Sequence, residues 1–413
     1  MSFQLLAVLV AAAGMGMVGL TYGSASAYFM CGTLGALMVI SYIAARLSGQ
    51  ALEVRRQVSD RVFEGEPFHV LLEVTNRGRV PLFLLKLSET VSSWLVSDTE
   101  LGFVLPTLWP GETARLSYRL RGRKRGVHTI GPLQIVVSDP FGLFSRRIAL
   151  ASASGGEAVI YPRPISLRGS AARTGSEAHA ISTGERARGA ESGLDFYGVR
   201  DYQPGDELRR IHWPTTAHHA KLTVIEFDQG VSDNVAVLLD TRAGTEFGSG
   251  IRTTLEVAVQ AAASLARWTL DAEGVFFLAH DSASGPQWLD VDRADREHEV
   301  LETLARVKAD GTQSISSVGD WAVPVLPPGA TVWVITAAPE PGLERVAEAL
   351  RHAAAASSLM VLALDASSFD RSAPGLRVDE LEARLAPAGG GVLALRRDHD
   401  LGEALESVLS TSI

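Results

Sequence analysis

Two near-continuous apolar stretches open the chain, at residues 3–20 and 28–45, separated by small uncharged residues. Neither carries an ionised side chain, and each is long enough to cross a hydrocarbon core of about 30 Å at about 1.5 Å per residue. Ala25 and Ala27 resemble a leader cleavage site, but no basic residue precedes the first stretch and a second apolar stretch follows at once. The pattern predicts a transmembrane helical hairpin over residues 1–46. From 47 to 150 the period changes to short alternating runs divided by turn residues such as Asn76-Arg77-Gly78 and Pro110-Gly111, predicting a β-sandwich-like domain. Residues 151–192, poor in large apolar side chains, read as a linker. Beyond 230, apolar runs at 235–239, 275–279, 332–336, 359–364 and 392–395 alternate with helical-period segments at 255–270, 293–307 and 343–355, and a last helix runs to 409. Strands this apolar are buried on both faces, so residues 231–413 are expected to form an α/β doubly wound parallel sheet.

Charge sharpens the picture at two places. The connection between the apolar stretches has no Lys or Arg, while Arg46, Arg55 and Arg56 follow the second. The positive-inside rule then puts both termini and all soluble domains on the cytoplasmic side of the inner (plasma) membrane. Arg121, Arg123, Lys124 and Arg125 form a basic cluster, read as a solvated hairpin tip or, more sharply, as a contact with anionic lipid. The net charge of −9 over 413 residues argues against nucleic-acid binding through a global basic field. The single cysteine, Cys31, excludes an internal disulfide or a multi-cysteine metal site.

Candidate chemistry concentrates in residues 193–230, which hold Arg200, Asp201, Tyr202, Gly205, Asp206, Arg209, Ile211 and Trp213. Pro204-Gly205 makes a tight turn. Asp206 is suited to cap or pair with the segment carrying Arg209, and Trp213 and Ile211 are expected to be buried anchors. His212, His218 and His219 invite a metal reading, but no paired ligand motif accompanies them. Nor does the chain carry a P-loop, a GxSxG elbow or a glycine fingerprint after a strand. Asp240 directly follows the first parallel strand, where open sheets bind ligands.

The spacing Arg200-x-Tyr202-x-x-Gly205-Asp206-x-x-Arg209-x-Ile211-x-Trp213, the run Asp139 to Phe144 (DPFGLF) and the paired apolar stretches resemble the bacterial family known as domain of unknown function 58. Ala217-His218 departs from the Ala-Arg common there. The resemblance implies a von Willebrand factor A-like fold for the last domain and a partnership with MoxR-type AAA+ ATPases. In A-type domains the loop after the first strand is Asp-x-Ser-x-Ser and binds a divalent cation. Here it is Asp240-Thr241-Arg242-Ala243-Gly244, with Arg242 and Gly244 in place of the serines and Ile335-Thr336-Ala337 where an aspartate is usual. A degenerate site, no metal and no cofactor are expected. The function expected is that of a membrane-anchored adaptor without catalytic residues, held by the bilayer and by the ATPase. The alternative is a metal-dependent enzyme using Asp240 with His212, His218 and His219.

Overall fold

Apolar sequence becomes helix first: α1 (Phe3–Tyr22) and α2 (Ala25–Leu47) are joined at Gly23 and Ser24. Both are long and apolar enough to span a membrane by length and composition. The computed structural model describes residues 3–48, 51–59, 61–149, 155–167, 196–201, 213, 216–217, 221–227, 234–326, 329–339, 342–352 and 358–411. It divides into two units, residues 1–162 and 163–413. In the first, Gly19 lies against the Tyr28 ring and Gly16 against Cys31 Sγ, so these two glycines let α1 approach α2. Gly14, Gly32 and Gly35 face open space.

The alternating runs form a sandwich. Its strands are β1 (Leu52–Val58), β2 (Val62–Phe63), β3 (Pro67–Asn76), β4 (Leu82–Val91), β5 (Leu95–Ser97), β6 (Gly102–Leu108), β7 (Thr113–Gly122), β8 (Gly126–Ser138), β9 (Ser145–Ile148) and β10 (Gly156–Tyr161). One sheet has the order β1-β3-β7-β5 and the other β2-β10-β8-β4-β6, with β9 also on β8. Inward positions such as Val70, Leu72 and Leu120 meet Leu85, Leu87, Ile130 and Ile135 in one core. Inside it Arg56 pairs with Glu89, and the Tyr118 hydroxyl donates to Glu89 Oε2 at 2.8 Å. Burial, then the Glu89 charge, pushes the Tyr118 phenol up, so it stays a donor at all ordinary pH.

Two expectations change here, and a third stretch gains a role. Residues 156–161, read as linker, are the strand β10, paired with β8 and β2; the rest of that linker from 168 lies outside the described residues. Arg125 is no solvated tip residue but is buried, and the Lys124 ammonium sits 5.5 Å from the Trp94 ring centre. The Asp139–Phe144 run is a capped turn: buried Asp139 accepts from the Phe141 N–H (3.0 Å) and the Phe144 N–H (2.6 Å). That turn presents Phe144 edge-on to Tyr42 of α2, with ring centres 5.7 Å apart.

Among the described residues, the first regular structure of the second unit is a ribbon of β11 (Phe196–Asp201) and β12 (Thr223–Phe227). Its main sheet is built from β13 (Val235–Leu239), β16 (Phe276–Ser282), β17 (Gly285–Val291), β18 (Thr331–Thr336), β19 (Leu359–Leu364) and β20 (Gly391–Leu395). Two short strands, β14 (Gly248–Ser249) and β15 (Arg252–Thr253), pair with each other. The sheet order is β17-β16-β13-β18-β19-β20, parallel throughout except for the edge strand β17. Counted along the chain this is 3-2-1-4-5-6, a doubly wound order whose switch point falls between β13 and β18. Around it lie α3 (Thr254–Asp271), α4 (Glu297–Arg306), α5 (Ile315–Ala322), α6 (Leu343–His352), α7 (Ala366–Phe369), α8 (Val378–Leu385) and α9 (Leu401–Thr411). All five β13 residues are buried, as their unbroken apolar run requires.

Candidate functional site at the carboxyl edge of the parallel sheet

Asp240 leaves β13 at the switch point, and local chemistry closes around it. Thr336, the last residue of β18, donates its hydroxyl to Asp240 Oδ2 at 2.7 Å, and the Arg242 N–H donates to Oδ1 at 3.2 Å. Thr336 Oγ1 in turn accepts from the Ala338 N–H at 3.0 Å. Both carboxylate oxygens are thus engaged by the protein. Two neighbouring threonines are also engaged. Thr253 caps α3 by accepting from the Glu256 N–H and donates to Glu246, and Thr254 bridges the Thr245 carbonyl and the Phe247 N–H. Thr253-x-x-Glu256 has the spacing of a capping box, which explains their placement without a ligand. The space between these groups is a cavity of about 10 Å³, the lower limit for a single water. A hexacoordinate cation with its retained waters does not fit it. Among the described residues no three His, Cys, Asp or Glu side chains come together as a metal-ligand group.

Burial pushes the Asp240 carboxyl above its usual range, against the Thr336 and Arg242 hydrogen bonds. The native state therefore holds this proton more tightly than the unfolded chain, whose Asp titrates near about 3.9. The sign follows: the ionised group weakens the fold as pH rises through the native value, and the weakening is complete above it. Asp240→Asn keeps the shape and removes the charge. It is expected to raise the melting temperature at pH 7, with the gain vanishing below about pH 4. Melting curves of both proteins between pH 3 and 8 check this.

A second carboxylate sits one strand over. Asp281, on β16, accepts at Oδ2 from the N–H groups of Thr312 (2.6 Å) and Gln313 (2.8 Å). Thr241 Oγ1 donates to its carbonyl. Burial raises its carboxyl, but the amides of Gln313, Thr312 and Ser282 outweigh this and hold it below the usual range. Gly311 zips the two loops together, its N–H to the Thr241 carbonyl (2.9 Å) and its carbonyl from the Ala243 N–H (2.9 Å). A β-carbon there would lie 3.1 Å from Asp281 and Thr241, so the two loops would have to part by a few tenths of an ångström to admit one.

Next to Asp240 the edge opens. A cleft of about 340 Å³ lies between the loops after β13, β18 and β19. Arg242, Arg377 and Arg384 line it beside apolar walls from Pro339, Pro374 and Leu376, with Glu380 as the one acidic lining residue among the described residues. Arg384 also bonds Glu344 and holds that carboxyl down to about 2, tying α8 to α6. Arg377 also meets Glu380 at 3.4 Å, so the cleft is partly apolar and lined by two guanidinium groups that are each paired with a carboxylate, with Arg242 beside them.

The signature stretch is described only in part. Arg200 and Asp201 lie on β11, paired with Val224 and Thr223. Tyr202, Gly205, Asp206, Arg209, Ile211, His212, His218 and His219 lie outside the described residues. Trp213 corrects an expectation: it is 64% exposed, not a buried anchor. Sequence reasoning missed Asp281, although it follows an apolar strand run just as Asp240 does. It also missed Arg377 and Arg384, which no spacing marks.

Residues 198–282 match the model of a family described as protein of unknown function DUF58. That match supports the DUF58 family. The DUF58 segment runs from the β11–β12 ribbon through Trp213 and Asp240 to the end of β16, so it takes in the signature stretch, Asp240 and Asp281. No curated protein matches the chain. Among solved structures, alpha-2-macroglobulin from Escherichia coli (domain MG7 to the C-terminus) is 19% identical over 27% of this chain and 16% of that one, at a TM-score of 0.21. A Salmonella alpha-2-macroglobulin mutant is 16% identical over 28% and 7%, at 0.22. A Clostridium perfringens cohesin module is 14% identical over 27% and 98%, at 0.21. The chain thus spans well under a fifth of the two macroglobulin structures, and scores this low assign it neither fold nor function.

Proposed function

We propose that the chain is a membrane-anchored cytoplasmic adaptor whose α/β unit is a von Willebrand factor A-like domain that docks a partner without a metal ion. The partner implied by the family resemblance is a MoxR-type AAA+ ATPase. One observation carries the reading: Asp240 is closed off by Thr336 and the Arg242 amide, while the Arg242 side chain lines the open cleft beside it. Where an adhesion-type loop offers a bound cation to an acidic ligand, this edge offers guanidinium groups, which bind a planar carboxylate through paired hydrogen bonds. The doubly wound order and the place of Asp240 at the switch point support the A-type reading. Arg200, Asp201, Asp206 and Arg209 would supply further polar contacts, with Tyr202 and exposed Trp213 as docking rings.

Full-length protein purified in mild detergent, with mass spectrometry and metal analysis on one sample, tests this. The expected result is an AAA+ ATPase recovered with a metal-free bait, unaffected by EDTA, and reduced at least about tenfold by Arg242→Glu, the cost of losing one buried charged hydrogen bond. A near-stoichiometric metal, or ATPase recovery that EDTA abolishes, would overturn the reading and restore the metal-dependent enzyme at Asp240.

A further inference from the structure

The strand register of the sandwich sorts its loops into two ends. Leu52 pairs with Asn76, Leu82 with Leu108, and Phe83 with Ser138. The chain entry after α2, the β3–β4 turn, the β6–β7 turn and the Asp139–Phe144 turn therefore all gather at one end. Pro67 pairs with Arg121 and Ser88 with Gly102, which puts the Arg121–Arg125 cluster at the other. The thirteen residues of β8 separate the two, up to about 40 Å at about 3.3 Å per residue. The basic cluster first considered for lipid contact is thus on the wrong end.

The end that faces the helices has its own anchors. The Asp139–Phe144 turn touches both helices: Phe144 meets Tyr42, and a β-carbon at Gly142 would lie 3.0 Å from Gln4 Oε1. Arg146 Nη1 donates to the Arg46 carbonyl at the end of α2 at 3.1 Å. The β6–β7 turn is stitched to the chain entry through Asn76 and Arg77, with Gly111 N–H to the Asn76 carbonyl at 2.7 Å and Arg77 N–H to the Ala51 carbonyl at 2.8 Å. On this end Trp109 is 60% and Phe141 54% exposed. Arg46, Arg79, Arg146 and Arg147 are exposed too. The local acids are committed: Glu53 binds Arg55 and Arg77, and Glu112 accepts from the Trp109 N–H.

We propose that this end of the sandwich lies on an anionic lipid surface, with the Trp109 and Phe141 rings at headgroup level and the four arginines against lipid phosphates. Large rings that are wasteful in water are at home at a membrane interface, and clustered arginines beside a membrane span favour anionic lipid. The proposal rests on reading α1 and α2 as membrane-spanning, and the test separates the two. Full-length Cys31→Ser protein with one spin-labelled cysteine at a time, Val39→Cys, Trp109→Cys, Phe141→Cys or Arg123→Cys, is reconstituted in vesicles of phosphatidylglycerol or of phosphatidylcholine alone. Expected are oxygen-favoured, nickel-shielded labels at 39, 109 and 141 and a water-exposed label at 123. Labels 109 and 141 should become shallower in phosphatidylcholine or in 1 M salt, where screening shortens to about 3 Å. A lipid-exposed label at 39 with water-exposed labels at 109 and 141 would overturn the surface proposal alone. Insertion of 109 and 141 that is indifferent to lipid charge would overturn the role of the arginines. A water-exposed label at 39 would sink the membrane reading and this proposal with it.

Discussion

Glu89→Ala is expected to cost about 3–5 kcal/mol, the range for removing one member of a buried ion pair. Its partner Arg56 has a side chain only 6% exposed, so the substitution strands a guanidinium in the sandwich core and leaves the Tyr118 hydroxyl without its acceptor. Against a total stability of about 5–15 kcal/mol the loss decides whether the domain folds. The penalty comes from the orphaned charge and not from any large net worth of the pair. Replacing both partners, Arg56→Met with Glu89→Leu, should therefore recover most of it. Denaturant melts of the single and double variants check this, and a double variant as weak as the single would show that the pair itself holds the two sheets in register.

The second large effect lies at the carboxyl edge of the parallel sheet. Asp281→Ala is expected to cost about 3 kcal/mol, since hydrogen bonds to a charged acceptor are worth about 1.5–3 kcal/mol each and Asp281 Oδ2 receives two from backbone amides. Asp281→Asn should recover only part, because its neutral amide oxygen is a weaker acceptor for the two backbone N–H groups than the carboxylate. The native pKa is lowered, so the stabilisation is fully present above the unfolded value of about 3.9 and fades as pH falls through the native one. The gap between wild type and Asp281→Ala should hold from pH 5 upward and close in acid, as thermal melts across that range would show. A gap that stayed constant down to pH 2 would mean the side chain acts through packing. Because Asp281 anchors the Thr312 loop, and Gly311 anchors the loop of Asp240, the variant should also loosen the edge that carries Arg242.

What could be read from the chain followed the strength of the burial signal. β13, β16, β18 and β19 were legible because a strand covered on both faces has to be apolar throughout, and β20, an edge strand mostly half-buried, was legible from its short apolar run. β17 was not, since it is an edge strand with mostly exposed side chains, Trp288 among them. The full length of β8 was not legible because Gly131-Pro132 interrupts its alternation, and β10 was hidden by the Gly, Ser and Ala around it. α5, rich in serine and carrying Gly319, gave too weak a period to be noticed. Asp240 could be found from its place after a strand. Its partner Thr336 is 96 residues away, and only the parallel pairing of β13 with β18 brings the two together. The DPFGLF run was recognised as a pattern, but that its aspartate caps a turn seating Phe144 on Tyr42 depends on contacts over a hundred residues apart in the chain.

The pairing of β10 has a practical consequence for anyone cutting this protein into pieces. A fragment that stops at residue 150, where the sequence suggests a boundary, would strip β10 from the flank of β8 and deprive β2 of its sheet partner. The bared N–H and C=O groups of Gly126–Ile130 would form a template for another chain, the feature that drives edge-to-edge aggregation. Ending the fragment after Pro162 keeps that edge covered, and soluble yield from the two lengths should differ accordingly.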